Sequence, residues 1–513
     1  MLWLLASCDP DPTTEPTEPV VPVSFTAPPA LSANPTAGLT AWLDLSLSAP
    51  RALRVTVSNP DRTWTVDAPV GADHHLLLTG FRPEVDHPIR IDAVDELGRV
   101  AGTAELTHRG EALPADFFTW ETRASSPAEM EPGVTLLGLG NYLVAVDPQG
   151  LPVWFVPIQG SIHEANRLST GELVVVVNRQ LVTVFGVSGE PHQMYRPARN
   201  FDDPVGSIAV DVEALHHDLI ELPNGNLVGL SIERRWLDYP VSEADAGAGM
   251  APVWVAGDVV VEFDRAGNLV RELPLLDRLE PQRIGYDSVD GNYWEDFEPW
   301  SGDEVKDWSH GNALSYDPVS DTLLVGLRHQ DAVVGLAFAT GEVAWVVAPT
   351  ETWPPRMADV VLAPDTPGFE YAYHMHGAKF TASDPSTGLL RIALFDNGNY
   401  RASPFAPQVP QEENYSRALE LELDPAAGVY RPVWSWGEDL DPPHFSGSVG
   451  DVDVLPTTDH VLVTFGNVAD PTLGGVRVVE LTRDHQIVWD LVVPFPTATT
   501  FRSQRLAGLI QGL

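Results

Sequence analysis

From residue 115 to 513 the chain is written in one repeating unit, a strand-length aliphatic run, a turn signal and a second strand. Self-similarity of this kind decides the fold before any single motif does. Six copies are plain: LVAVDPQGLPVWFV from 143, VTVFGVSGEPHQMY from 182, VVVEFDRAGNLVREL from 259, VVGLAFATGEVAWVV from 333, ALELELDPAAGVYRPVWSW from 418 and VVELTRDHQIVWDLVV from 478. Other hairpin-like segments precede members of this set, opening at His163, His216, His310, His376 and Gly450. Two hairpins make a four-stranded antiparallel blade, and a ring of such blades leaves only short, protected sheet edges. The expectation is an all-β chain whose residues 115–513 form a six-bladed β-propeller. A sixth leading hairpin is not visible, so closure is expected to pair the C-terminal strand with a segment near Val134 to Leu139.

Upstream, residues 23–112 alternate apolar and polar at period two, with turn signals at Asn59-Pro60-Asp61, Pro83 and Gly98. About seven short strands fit, which suggests an immunoglobulin-like or fibronectin-like β-sandwich without catalytic features. Residues 1–22 differ again. Met1 to Cys8 reads MLWLLASC, and Leu5-Ala6-Ser7-Cys8 resembles a lipobox, which implies cleavage before Cys8 and lipid attachment to its sulfur. The Pro/Thr/acid run that follows reads as a spacer. The expected location is extracytoplasmic, periplasmic or at the cell surface, with membrane contact only through the lipid on Cys8. No later segment has the ~18 consecutive apolar residues of a membrane-spanning helix.

Charge narrows the partners. The formal net charge of -42 opposes nucleic acid and anionic membranes, which require a positive footprint. Lysine occurs only at 306 and 379, so positive charge rests on arginine. Cys8 is the single cysteine, which leaves no material for a disulfide, a zinc-thiolate cluster or a Cys-His pair.

In a ring, residues at matching repeat positions converge. His163, His217, His310 and His376 hold such positions and are expected to face one axis. Between the repeats lie inserts at 236–257, 285–308, 350–373 and 398–415, rich in aromatics that can roof one channel mouth and suit an aromatic ligand. Equally, these aromatics can be ordinary loop anchors. His329 follows Arg328 in what reads as a strand and is expected on the opposite face, in the blade packing. His444, His460 and His485 read as turn or loop residues.

The strings HHDLIELPNGN, DWSHGNALSYDP, LLVGLRHQD, HMHGAKF, ALFDNGNYR, YSRALELE and FRSQRL, in that order, resemble the bacterial arylsulfate sulfotransferase family over about 380 residues. That resemblance implies a six-bladed propeller that moves a sulfuryl group from an aryl sulfate to a phenol through a sulfohistidine. It implies no cofactor and no nucleotide sulfate donor; the partners are the small-molecule donor and acceptor, and homodimerisation is left open. The same resemblance maps the nucleophile onto His376 and further functional positions onto His217, His310, Asn312 and Arg328; the chemistry of sulfuryl transfer then makes His310 the proton handler, and Arg328, His217 and the substrate-binding Asn312 the ligands of the sulfuryl oxygens. Register leaves His216 and His374 as alternatives to their neighbours, and His163 reads as scaffold.

Elementary chemistry agrees with such a set. A neutral imidazole can attack sulfur and split one hard step into two, and an arginine fork can hold the sulfuryl oxygens. Two other readings stay open: a membrane-anchored binding propeller without catalysis, and a metal-dependent propeller hydrolase or lyase. Against the second, Arg328 would repel a cation, and no carboxylate stands at an equivalent repeat position.

Overall fold

The computed structural model describes residues 19–202, 206–470, 472, 474–494 and 499–513. Cys8 and most of the expected spacer lie outside the described residues.

Between residues 134 and 506 the chain forms six four-stranded antiparallel blades. Blade one joins Ser503–Leu506, Val134–Leu139, Tyr142–Val146 and Pro152–Pro157. Blade two runs from Ile162–Arg167 to Pro191–Pro197, blade three from His216–Glu221 to Leu269–Pro274, and blade four from Gly311–Asp317 to Glu342–Val347. Blade five runs from His376–Ser383 to Val429–Trp436, and blade six from Asp451–Val454 to Ile487–Val493. A short strand, Val361–Pro364, hydrogen-bonds to the outer edges of blades four and five and ties them together.

The innermost strands neighbour one another around the ring. Because each blade is sandwiched between two others, its middle strands are buried on both faces. Continuous runs such as LVVVV at 173–177 and VLVTF at 461–465 are therefore wholly buried, which is why they carry no polar alternation.

Closure is non-covalent and double. Ser503 pairs with Leu137 and Leu506 with Val134, so the C-terminus supplies the innermost strand of blade one where the sequence placed it. At the other seam Glu121–Ser125 adds a fifth, outermost strand to blade six, with Ser125 opposite Trp489.

The N-terminal region departs from its expected form. Five strands, not about seven, span Ala30 to Arg109, and hydrogen bonds link all five into one sheet. Two of them, Ala41–Ser58 and Thr63–Leu78, are unusually long, because their pairing shifts register near Arg51 and continues, while the expected turn at 59–61 connects them. The buried side chains of this sheet, including Leu43, Val55, Trp64 and Ile91, share one apolar cluster with Leu137, Phe155 and Trp489 of blades one and six. Arg82, buried, ion-pairs with Asp147 of blade one at 2.8 Å. Gly38 packs so closely that an added Cβ would lie 2.1 Å from the Phe155 ring.

The segment 236–257 is not an insert. It is the tip of a long hairpin in blade three, with Pro240 opposite Met250 and Trp236 opposite Trp254. Among the described residues no helix is long and apolar enough to cross a membrane.

Candidate active site

Each histidine-bearing innermost strand begins with an irregularity that turns its first residues toward the axis. The ladder shifts register between Ile162 and Glu164, His216 and Leu219, Gly311 and Ala313, and His376 and Lys379. His217 and His310 adopt left-handed backbone with φ of 52° and 47°, and Gly377 has φ of 61°. Such bulges re-aim side chains at the price of local strain. The result is a cavity of about 590 Å³, within the usual range for small-molecule sites, lined by His163, His217, His310, His376 and Arg328. All four repeat-position histidines converge as expected.

The hydrogen bonds assign the tautomers. His376 Nδ1 lies 2.7 Å from Asn397 Oδ1. The Asn397 amide nitrogen in turn donates to the carbonyls of Ser446 and Val449, so Oδ1 must accept and His376 Nδ1 must carry the hydrogen. His310 Nδ1 donates to Asp307 Oδ2 at 2.5 Å. His216 Nε2 faces two acceptors, Ser231 O at 3.1 Å and Asp258 Oδ1 at 3.3 Å, and so is the protonated nitrogen. His216 Nδ1 then accepts from His217 Nδ1 at 2.8 Å. In His217, His310 and His376 alike, Nδ1 is tethered and Nε2 has no protein partner among the described residues.

Electrostatics keep these rings neutral. Burial pushes His376 well below the ordinary histidine range, and the nearby Arg328 charge adds to it. Burial followed by Arg328 does the same to His310, while burial and the neighbouring imidazoles, His310 first, lower His217. His163 is pushed down to about 4 by burial and Arg179. Burial raises Asp307, so within the His310–Asp307 pair each group resists charge.

Facing this neutral wall is a charged one. Arg328 Nη1 reaches Asp287 Oδ2 at 3.3 Å and His329 Nε2 at 2.5 Å. Asp287 also accepts from Tyr400 OH at 2.8 Å and pairs with His374 Nε2 at 3.3 Å. His374 Nδ1 sits 3.0 Å from Asp331. Burial and Arg328 pull the His374 imidazole down, but Asp331 and Asp287 outweigh them and hold it above the ordinary range.

Several expectations change. His329 is not in the blade packing: Arg328–Gln330 is a single 3-10 turn, which breaks strand alternation and brings both Arg328 and His329 to the cavity. Asn312 does not line the cavity. It is fully buried one layer deeper, where its side-chain amide donates to Met375 O at 2.8 Å and its main-chain carbonyl accepts from Arg502 at 2.9 Å. His374 sits behind the charged wall and not on the cavity surface. His444 lies in a loop as expected but is buried there, with Nε2 2.9 Å from Arg477. Of the insert aromatics only Tyr293 lines the cavity, beside Phe501 from the C-terminal segment; Tyr286, Trp294, Phe297, Trp300 and Trp308 are buried anchors.

Carboxylates do stand beside the histidines, not from equivalent repeat positions but because the 285–308 insert carries Asp287 and Asp307 inward. Asp307, His310 and His329 offer ligand atoms within 4.8 Å of one another. Hydrogen bonds already engage several of them: Asp307 Oδ2 accepts from His310 Nδ1, and His329 Nδ1 donates to the Asp307 main-chain carbonyl at 2.7 Å, while Asp307 Oδ1 has no hydrogen-bond partner among the described residues. The arrangement fits hydrogen-bonded positioning better than ligation of a cation next to Arg328.

Beneath the cavity, at the next positions along the inner strands, lies an ionic layer. Arg502 pairs with Glu164 at 2.7 Å and Asp218 at 2.9 Å, and Lys379 pairs with Asp451 at 2.8 Å and with Asp453 at 2.5 Å. This layer separates the cavity from a second mouth lined by Asn166, Tyr316 and Gln504.

A family model described as Arylsulfotransferase (ASST) matches residues 121–493, which run from the added strand of blade six to that blade's last strand. The arylsulfate sulfotransferase AssT of Lelliottia amnigena is 24% identical over 291 residues, covering 48% of this chain and 46% of the relative. AssT of Escherichia coli O6:H1 is 25% identical over 334 residues, covering 56% and 52%. The chain thus spans about half the length of the curated relatives it matches. A Bacteroides caccae protein of unknown function superposes with a TM-score of 0.40 at 11% identity, covering 72% of this chain and 98% of that one. With the profile spanning the greater part of the ring, the chain belongs to the arylsulfotransferase family.

Proposed function

We propose that the cavity transfers a sulfuryl group from an aryl sulfate to a phenol by a ping-pong route through His376. The observation that carries this reading is the His376 tautomer: Asn397 holds the hydrogen on Nδ1, leaving the Nε2 lone pair facing a cavity that Arg328 also lines.

In the first half-reaction His310 Nε2 takes up a proton from solvent as the donor binds, Nε2 of His376 attacks sulfur, the bond from sulfur to the aryl oxygen breaks, and the departing phenolate takes that proton from the His310–Asp307 pair. In the second the acceptor phenol returns a proton to that pair, its oxygen attacks sulfur, and the nitrogen–sulfur bond breaks. Charge builds on the bridging oxygen in a loose transition state, as in phosphoryl transfer. Proton transfer at that oxygen contributes roughly 10² to 10⁴ in rate.

Arg328 serves twice. It donates to the sulfuryl oxygens, and its charge is one cause of the lowered proton affinity of His310 and His376. A bound anion offsets that charge, so His310 gains proton affinity when a donor arrives. His217, whose Nδ1 hydrogen is committed to His216, presents an acceptor nitrogen and assists as a base, not as the sulfuryl-oxygen donor first expected. Lipid attachment at Cys8 and an extracytoplasmic location complete the proposal.

The test uses purified protein, 4-nitrophenyl sulfate, a phenol acceptor and EDTA, without nucleotide. Acceptor-dependent nitrophenol release that survives chelation and vanishes in His376→Asn supports the reading; no release, or full activity in that variant, sinks it.

A further inference from the structure

Sulfate and phosphate monoesters share shape and size, so a cavity of imidazoles and one arginine cannot tell them apart by fit. They differ in charge. The sulfate ester is a monoanion throughout the ordinary pH range, whereas the phosphate ester becomes a dianion above about pH 6.

The cavity has a feature suited to reading that difference. Among its described lining residues the only fixed cation is Arg328, and Arg328 is already engaged by Asp287. Asp287 is not an incidental surface acid. Its side chain is 22% exposed and is held from three directions, by Arg328, by the Tyr400 hydroxyl and by His374. It is carried by the 285–308 insert, which doubles back on itself where Gly291 N donates to Asp287 O at 2.7 Å. Tyr400 belongs to the separate 398–415 insert, and the two inserts meet again where Tyr286 OH donates to Ala406 O at 2.9 Å. Two loops therefore cooperate to fix a carboxylate beside the arginine that an oxyanion would seek. Burial alone would raise this carboxyl, but the His374 hydrogen bond and the Arg328 charge outweigh it and keep it ionised.

Taken with Asp331 behind it, this wall sets the single fixed cation Arg328 against two carboxylates, with the His374 imidazole held between them. A monoanion finds the near face of Arg328; a second negative charge finds no further cation and meets Asp287. The second lining acid, Asp290, is exposed at the mouth and has no such role.

We propose that Asp287 is a specificity residue that confines the cavity to monoanionic esters and turns away dianionic ones of the same shape. The proposal rests on the sulfuryl-transfer reading for its substrate class. At an effective dielectric near 20, one extra charge roughly 6 to 12 Å from a carboxylate is disfavoured by on the order of 10- to 100-fold in affinity.

The test compares 4-nitrophenyl phosphate with 4-nitrophenyl sulfate at pH 5, where the phosphate ester is largely a monoanion, and at pH 8. Binding of both is measured by calorimetry on the wild-type chain, Asp287→Asn and Asp290→Asn, alongside inhibition of sulfate turnover. The sulfate ester, whose charge is constant, corrects for titration of the protein's own groups. In the wild type, phosphate affinity relative to sulfate should fall about 10- to 100-fold from pH 5 to pH 8. Asp287→Asn should recover most of that loss at pH 8 while Asp290→Asn does not. Equal relative affinity at the two pH values in the wild type overturns the proposal even if the Asp287 variant fails to fold. A parallel change of both esters in Asp287→Asn also overturns it, since that marks a merely structural residue. Binding without nitrophenol release would instead fail the transfer reading and leave the selectivity result legible.

Discussion

At the cavity end of the channel His217, His310 and His376 each commit Nδ1 to a protein partner and keep Nε2 free, whereas one layer below Arg502 and Lys379 face carboxylates on two sides. The same inner strands build both layers. His163 and Glu164 are consecutive, as are His217 and Asp218, and Phe501 and Arg502. The difference lies in whether the converging polar groups are consumed by one another. In the ionic layer they largely are, and the outcome is closure: Arg502 immediately precedes the strand that seals blade one, and it reaches blades two and three. In the cavity they are only half consumed, and what remains is available to a ligand.

Breaking the contrast from the cavity side should give the largest effect. His376→Asn is expected to lower kcat/KM by about 10³-fold or more, with a small change in the unfolding midpoint, read by 4-nitrophenyl sulfate turnover and thermal denaturation on the same sample. Arg502→Met should do the reverse. It leaves Glu164 and Asp218 buried without their cation, a loss of roughly 3–5 kcal/mol, visible as a lower urea midpoint; an unchanged midpoint would show that the ionic layer does not hold the ring shut.

A smaller effect is expected where the two functions touch. Asn397→Ala removes the acceptor that sets the His376 tautomer but leaves every group on the cavity surface, so kcat should fall by about 10- to 100-fold while KM changes much less. A KM effect larger than the kcat effect would contradict a positioning role.

The weakest signal is the pH dependence of stability, and its sign differs between the layers. The cavity histidines have folded pKa values below their unfolded ones. In the window beneath the ordinary value of 6.5 the unfolded chain binds more protons, so their contribution is present above that value and is lost as pH falls through the window. Glu164 behaves oppositely. Burial raises it despite Arg502, so its contribution is complete below the ordinary glutamate value of 4.5 and is lost as pH rises through the raised folded value. Glu164→Gln should therefore flatten the alkaline side of a midpoint-against-pH curve and leave the acid side unchanged.

Much of the site was legible before the structure. A histidine at the head of four of the six inner strands is a repeat-position signal, and a ring converts repeat position into convergence, so His163, His217, His310 and His376 could be placed together from spacing alone. Arg328 came from its family motif. Asn312 was drawn into the site by the same route and belongs to the layer below, because a bulge between Gly311 and Ala313 interrupts the alternation on which its facing depended. His329 was lost for a related reason: a 3-10 turn puts neighbours on the same side. Asn397 stood in the quoted string ALFDNGNYR but had no assignable partner until His376, 21 residues earlier, was seen 2.7 Å away.

By itself the sequence determined the all-β character, the six-fold repetition, the C-terminal closing strand and the residues that meet at the axis, since these follow from local hydrophobic pattern and from period. Only the tertiary structure decided which nitrogen of each imidazole is free, that Asp287 and Asp307 flank the cavity, and that the N-terminal strands form one sheet sharing a core with two blades. Those properties depend on hydrogen-bond partners far apart in the chain and on bulges that rotate side chains by one position, and neither leaves a trace in local alternation.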